Sequence, residues 1–431
     1  MIKIFLIIFS LLLINNCSLN KDSSFWNNEK KKINKKNTIV KISNKENLVI
    51  NEFNPEIEFD LNNIKINNKV NDNYNNFGSS DYSGKLNKIE TYKFSKFDVF
   101  DGLNLKPLVL KNSLIFFDKK GSIIKFDNDS KIIWKNNYYT KSEKKLSPQL
   151  SFAIEGKNLL VVDNIRKVFS INIDTGKLNW SKINEYPFNS DIKISKDSLF
   201  AVDYNNTLRC FKLEDGSECW NLVTDSSLTI PNKKYSIILV KDLVIFNNSI
   251  GDITAADVST GLIVWQLPTQ SSSIYNETYY FKTSELVTDG KSLYFSNNKN
   301  EFYSVDIQTG SVNWKNKVNS DLTPIIIENF IFTISNDGYL FTIQKKQGNI
   351  VRINDLYKNY KKKIKEKFNS NGFLIGKDKI YLSNNENISV ISLKNGKIIK
   401  NYKVARGKIS APYILNNNLY LIKNGSIIKY D

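Results

Sequence analysis

A glycine followed four positions later by a tryptophan recurs down this chain, at Gly176–Trp180, Gly216–Trp220, Gly261–Trp265 and Gly310–Trp314. Gly348–Arg352 and Gly396–Lys400 keep the spacing without the indole, and Ser130–Trp134 keeps the indole without the glycine. From Trp134 to Trp314 the intervals are 46, 40, 45 and 49 residues. A period of that length is one four-stranded propeller blade, a unit that cannot bury its apolar faces alone and must stack on copies of itself. The glycine is expected at positive φ, closing the third strand onto the fourth. The rings of Trp134, Trp180, Trp220, Trp265 and Trp314 are expected to wedge between adjacent blades.

The text between these marks fits the blade. Val, Ile, Phe and Tyr fill short runs, and Asn-Asn, Asn-Asp-Gly and Ser-Thr-Gly clusters punctuate them. Units fall at 105–136, 147–182, 191–222, 235–267, 285–318, 323–354 and 372–404, and an eighth begins at Ser410 and ends at Asp431 after three strands. Its missing outer strand has a counterpart at 88–96 (KIETYKFSK), so the expected fold is an all-β, eight-bladed propeller over 88–431 whose last blade is shared between the two ends of the repeat region. Such sharing removes the open edge of the ring.

Composition narrows the chemistry. The chain has 431 residues, a formal charge of +18 and no histidine, so the commonest general base and the commonest zinc ligand are both missing. Its lysines are scattered among many asparagines, without the basic and aromatic interleaving of a nucleic-acid surface, and no nucleic-acid partner is expected. The densest run, Lys361–Lys367, falls between two units and reads as a solvated loop. Cys210 and Cys219 flank the Glu214–Gly216 turn. They can bridge two strands as a disulfide or stay as buried thiols, and with no base nearby both readings are structural.

The start of the chain reads as a targeting signal. Lys3 precedes an apolar stretch, Ile4–Ile14, interrupted only by Ser10. As a helix this rises only about 16 Å, too short to span a bilayer. Ile14-Asn15-Asn16-Cys17 resembles a bacterial lipoprotein signal, which implies a signal peptide over 1–16 and lipid on Cys17; Ser18 beside it resembles the signal for transfer to the outer membrane. Residues 17–87, rich in Asn, Lys, Ser and Glu and including Trp26, read as a disordered tether.

Asp306–Trp314, with the D-x-x-T-G-x-x-x-W pattern, and part of that pattern at Asp174–Trp180 resemble pyrroloquinoline-quinone-type propeller repeats over about 88–431. Together with the signal, Cys17 and the tether, they resemble the propeller lipoproteins of the outer-membrane β-barrel assembly machinery. The resemblance implies a non-enzymatic scaffold without cofactor, lipid-anchored at the periplasmic face of a Gram-negative outer membrane. It also implies binding to the POTRA domains of the barrel subunit and contact with unfolded outer-membrane proteins. In that family the partner contact lies in two neighbouring inter-blade loops. Here Leu228 and Ile230 match the apolar pair, Pro231 stands where the family has arginine, and Tyr280 lies in the second loop, which lacks the usual acidic residues. Two other classes use such propellers: calcium- and quinone-dependent dehydrogenases, which bring a vicinal cysteine pair that this chain lacks, and binding proteins for sugar or peptidoglycan.

Overall fold

The computed structural model describes residues 51–431 apart from 62–71, 77–79, 81, 98–104, 227–232, 270–282, 298, 362–364, 366–368 and 405. Eight antiparallel four-stranded sheets follow one another along the chain, with inner strands beginning at Leu108, Leu150, Lys193, Ile237, Val287, Ile325, Ser370 and Tyr413. Blade 8 consists of Tyr413–Leu415, Asn418–Lys423 and Ser426–Tyr430, completed on its outer side by Lys88–Lys93, which pairs antiparallel with Ser426–Tyr430. Among the described residues no helix is long and apolar enough to cross a membrane.

Blade 4 shows why these residues form these strands. Ile237–Val240, Leu243–Asn247 and Ile253–Asp257 are almost wholly buried, because neighbouring blades cover both faces, and they read as near-continuous apolar runs. The outer strand Ile263–Leu267 exposes Ile263 and Val264 and buries Trp265. The turn before it is built by one carboxylate: Asp257 Oδ1 accepts from the N–H of Ser259 (3.0 Å), the N–H of Thr260 (2.8 Å) and Thr260 Oγ1 (2.9 Å). Asp306 does the same for Gln308 and Thr309. The chain then reverses through Gly261 and Gly310, both at φ +72°. A one-residue β-bulge follows, so that Trp265 stands opposite Ala255 and Ile263 opposite Ala256.

The repeated Gly–Trp spacing has a steric reason that runs from blade to blade. A Cβ on Gly216, Gly261, Gly310 or Gly348 would lie 2.5 to 2.7 Å from the ring of Trp180, Trp220, Trp265 or Trp314, the tryptophan of the preceding blade. Each indole also donates its Nε1–H to a carbonyl three residues before that glycine. The acceptors are Leu213 (2.8 Å) for Trp180, Val258 (3.2 Å) for Trp220, Ile307 (2.8 Å) for Trp265 and Lys345 (3.0 Å) for Trp314. Trp134 reaches Ile173 in the same way. Glycine and tryptophan therefore recur together because the flat ring of one blade lies on the bare Cα of the next.

Two expectations change. The part of the 17–87 segment that is described does not hang free. Phe59 and Tyr82 are buried in the cluster that joins blades 6 to 8, and Asn75 is buried against the inner strands of blades 4 and 5. Sparse aromatic side chains in a polar segment are enough to anchor it. The segment's residues 17–50, including Cys17 and Trp26, and the signal peptide lie outside the described residues. In the Lys361–Lys367 run, Lys361 is exposed, but Lys365 is paired with Asp355 at 2.7 Å.

Candidate functional site

The inner strands converge on the ring axis, where neighbouring blades touch through an Ser190–Tyr235 bridge. The residues that lead into these strands form a polar rim. Ser190, Ser284 and Ser410 each accept an N–H from the second strand of their own blade, at 2.8, 2.9 and 3.0 Å, and each hydroxyl donates to the carbonyl of the next residue. Charged side chains are threaded between them. Asp191 receives Lys234 at 2.9 Å and Lys106 at 3.1 Å, and Lys106 also faces Glu285 at 3.5 Å. Burial opposes ionisation of Asp191, but Lys234 and Lys106 outweigh it and hold the carboxyl well below the usual carboxylate range.

Residues 72–75 enter this rim. Asn75 Nδ2 donates to Ser236 Oγ (3.2 Å), Ile237 O (3.2 Å) and Leu286 O (3.1 Å). Lys193 Nζ donates to Asn75 Oδ1 at 2.8 Å and to the carbonyl of Asp72. Tyr74 packs over Gly290. The axis at blades 3 to 5 is thus occupied by the chain's own segment. Burial pushes the Lys193 ammonium below its ordinary pKa, as it does for Lys233.

Lys233 follows directly on residues 227–232, and Thr283 follows directly on 270–282, the two inter-blade loops in question. Lys233 Nζ donates to Thr283 O at 2.9 Å and also to Asp321 O, on the stem that leads into blade 6. One half-buried ammonium ties together the described stems of consecutive loops. The sequence signal for this was only a Lys-Lys pair after a turn, which reads as surface. Leu228, Ile230, Pro231 and Tyr280 lie outside the described residues.

Cys210 is buried and Cys219 exposed, and both are free thiols. Cys219 is the extra residue of the outer-strand bulge, since Cys210 stands opposite Trp220 and Phe211 opposite Glu218, and its Sγ lies 3.7 Å from Ser198 Oγ. Among the described residues no group of three or more His, Cys, Asp or Glu side chains could hold a metal ion. The chain's cysteines are not vicinal, and Asp72–Asn75 take up room at the axis. The rim's charges are engaged with one another, which suits a rigid frame for loops.

A sequence profile described as outer membrane protein assembly factor BamB matches residues 119–354, more than half of the chain. An uncharacterized protein of Rickettsia prowazekii is 22% identical over 330 residues, covering 74% of this chain and 76% of that protein. The outer membrane protein assembly factor BamB of Shewanella oneidensis is 32% identical over 104 residues, 23% of this chain and 24% of the relative. Among solved structures, BamB from Moraxella catarrhalis superposes with a TM-score of 0.66 at 16% identity, over 80% of this chain and 99% of that one. A quinohemoprotein alcohol dehydrogenase from Pseudomonas putida gives 0.61 at 11% identity, over 82% and 77%. These structural likenesses show the shared propeller fold.

Proposed function

The chain belongs to the family of outer membrane protein assembly factor BamB, and from that premise we propose that it is a non-enzymatic scaffold of the outer-membrane β-barrel assembly machinery. In this reading Cys17 carries the lipid that holds the propeller at the periplasmic face of the outer membrane. The loops 227–232 and 270–282 bind the POTRA domains of the barrel subunit, with Leu228, Ile230 and Tyr280 as apolar contacts and Pro231 stiffening the first loop.

The observation that carries the proposal is the Lys233 clamp. Lys233, at the end of the first loop, donates to Thr283 O at the end of the second and to Asp321 O before blade 6, so the described stems of consecutive loops are tied together. Loops whose stems are tied together lose less freedom when a partner binds than loops on independent stems. Apolar and aromatic tips on such a frame have the make-up of an interface hot spot.

The test is an affinity pull-down from solubilised outer membrane with the tagged full chain and its Leu228→Asp, Ile230→Asp variant. Recovery of the barrel subunit by the unmodified chain alone supports both role and loop. Recovery by both keeps the role and moves the contact. Recovery by neither refutes the scaffold reading. A stoichiometric absorbing complex with added calcium and quinone would favour the dehydrogenase class instead.

A further inference from the structure

Blade 6 is the point at which the repeat changes its docking residue, and the change has a consequence in three dimensions. Arg352 occupies the tryptophan position, and its Nη2 donates to Leu393 O at 3.2 Å, the carbonyl three residues before Gly396 that an indole would reach. The guanidinium has more donors than an indole. Nη1 also donates to Lys394 O (2.7 Å) and to Ile57 O (2.9 Å), and the Phe59 ring lies 4.5 Å from the guanidinium carbon. Arg352 is fully buried and faces no carboxylate among the described residues. Its charge is met by carbonyls and a ring, two of which come from residues 51–59.

Those residues lie against the outer edge of blade 6, joined to it by one bridge at Phe53 and then turning at Asn54, where Ile57 N donates to Asn54 O at 3.1 Å. Phe53 and Ile353 exchange both backbone hydrogen bonds, at 3.2 and 2.8 Å. Asn354 Nδ2 donates to Pro55 O at 3.3 Å, and Phe59 N donates to Lys394 O at 2.9 Å. Three acidic side chains meet three lysines: Glu52 with Lys358 (2.6 Å), Glu56 with Lys397 (3.3 Å) and Glu58 with Lys394 (2.8 Å). Yet only Phe59 is buried; Phe53 is 48% and Ile57 39% exposed, so the seat is shallow and held by one anchor, backbone pairing and surface ion pairs. Pairs of that kind are weakened by salt.

We propose that the outer edge of blade 6, with Arg352 at its centre and Lys358, Lys394 and Lys397 around it, is a docking groove for acidic peptides that end in an aromatic anchor, and that residues 52–59 are its exchangeable resident. The backbone bonds to Ile353 and Lys394 serve a peptide that copies the resident's path, and the lysines with the arginine-backed aromatic pocket supply selectivity. A ligand would carry acidic residues in the pattern of Glu52, Glu56 and Glu58 and a ring in the place of Phe59. The inference does not depend on the scaffold reading.

The experiment uses the full chain and a fluorescent peptide with the sequence of residues 51–60, read by anisotropy. A Glu52→Lys, Glu56→Lys, Glu58→Lys, Phe59→Ala variant empties the groove and is expected to bind the peptide at least about tenfold more tightly than the unmodified chain, in which the resident competes. Adding Arg352→Trp restores the repeat's own contact with blade 7 while removing the bond to Ile57, so the ring stays closed and peptide binding is lost. Circular dichroism melting checks that this variant is folded. A peptide in which the three Glu are Lys should not bind. Failure of the emptied variant to bind, or equal binding with Arg352→Trp, would overturn the proposal. Hydrogen exchange of the unmodified chain gives a second reading: the N–H groups of Phe53 and Phe59 should exchange faster at about 1 M salt than at low salt, and salt-independent protection would contradict the exchangeable seat.

Discussion

Replacing Gly261 by alanine separates the two reasons for glycine in the repeat. The backbone there has φ +72°, a region that costs an L side chain about 1–2 kcal/mol. The new methyl would also sit 2.6 Å from the Cδ2 and Cε3 atoms of Trp220. That ring is fixed by the Nε1 bond to Val258 O, so relief requires blade 3 to shift against blade 4, an overpacking cost of about 1–3 kcal/mol. Gly156 is the control. Its φ is +57°, but a Cβ would meet nothing within 4 Å, so Gly156→Ala carries only the backbone part. Urea unfolding followed by far-ultraviolet circular dichroism should therefore show Gly261→Ala less stable than Gly156→Ala by about 1–3 kcal/mol. In a Trp220→Leu background the clash is gone, and the excess cost of Gly261→Ala should disappear. Equal losses for the two glycines, or an excess that survives removal of the ring, would refute the coupled Gly–Trp explanation.

Further outcomes follow from the rim and the thiols. Asn75→Ala leaves the carbonyls of Ile237 and Leu286 without their donor and takes Oδ1 from Lys193, and should lower unfolding stability by about 2–4 kcal/mol in urea. Asp191→Asn breaks the pairs with Lys234 and Lys106; with the carboxylate 29% exposed, the loss should be about 1–3 kcal/mol at pH 7. Because the folded carboxyl is depressed below its ordinary 3.8, its stabilisation is present above that value and is lost as the pH falls below it. The gap between Asp191→Asn and the unmodified chain should therefore narrow on acidification, as thermal melts between about pH 5 and 2 would record. Iodoacetamide on the native protein should label Cys219, while Cys210, whose thiol pKa is raised by burial, should react only after unfolding; mass spectrometry of the labelled peptides reads both.

Much of the ring was legible because its signals are local. Positive φ with a ring pressed on the Cα demands glycine, a short turn favours Asp, Thr and Gly together, and a ring that lies on the next blade's glycine must recur at the same period. Closure by residues 88–96 followed from a blade that lacked its fourth strand, although the pairing itself ends at Lys93. The packing of the described residues between 51 and 87 was not legible. Its anchors, Phe59, Tyr82 and Asn75, are isolated in polar text, and their partners are far along the chain: Tyr82 donates to the carbonyl of Asp431 and Asn75 to that of Leu286. One mark of it stood in the repeat, the arginine at position 352, which looked like a degenerate copy until its extra donors were placed. The rim lysines were hidden for a different reason. A lysine looks the same in sequence whether it is solvated or tied to two carbonyls, as Lys233 is. Cys210 and Cys219 do lie on adjacent strands, but the bulge carries Cys219 to the surface.

The scaffold role is tested most directly by site-specific photocrosslinking in cells, with a photoreactive residue placed in turn at Leu228, at Tyr280 and, as a control on the far side of the ring, at Ile399. The proposal predicts adducts to the barrel subunit's periplasmic domains from Leu228 and Tyr280 and none from Ile399. Adducts from Ile399 alone, or from none of the three in a chain that is lipidated and folded, would contradict it.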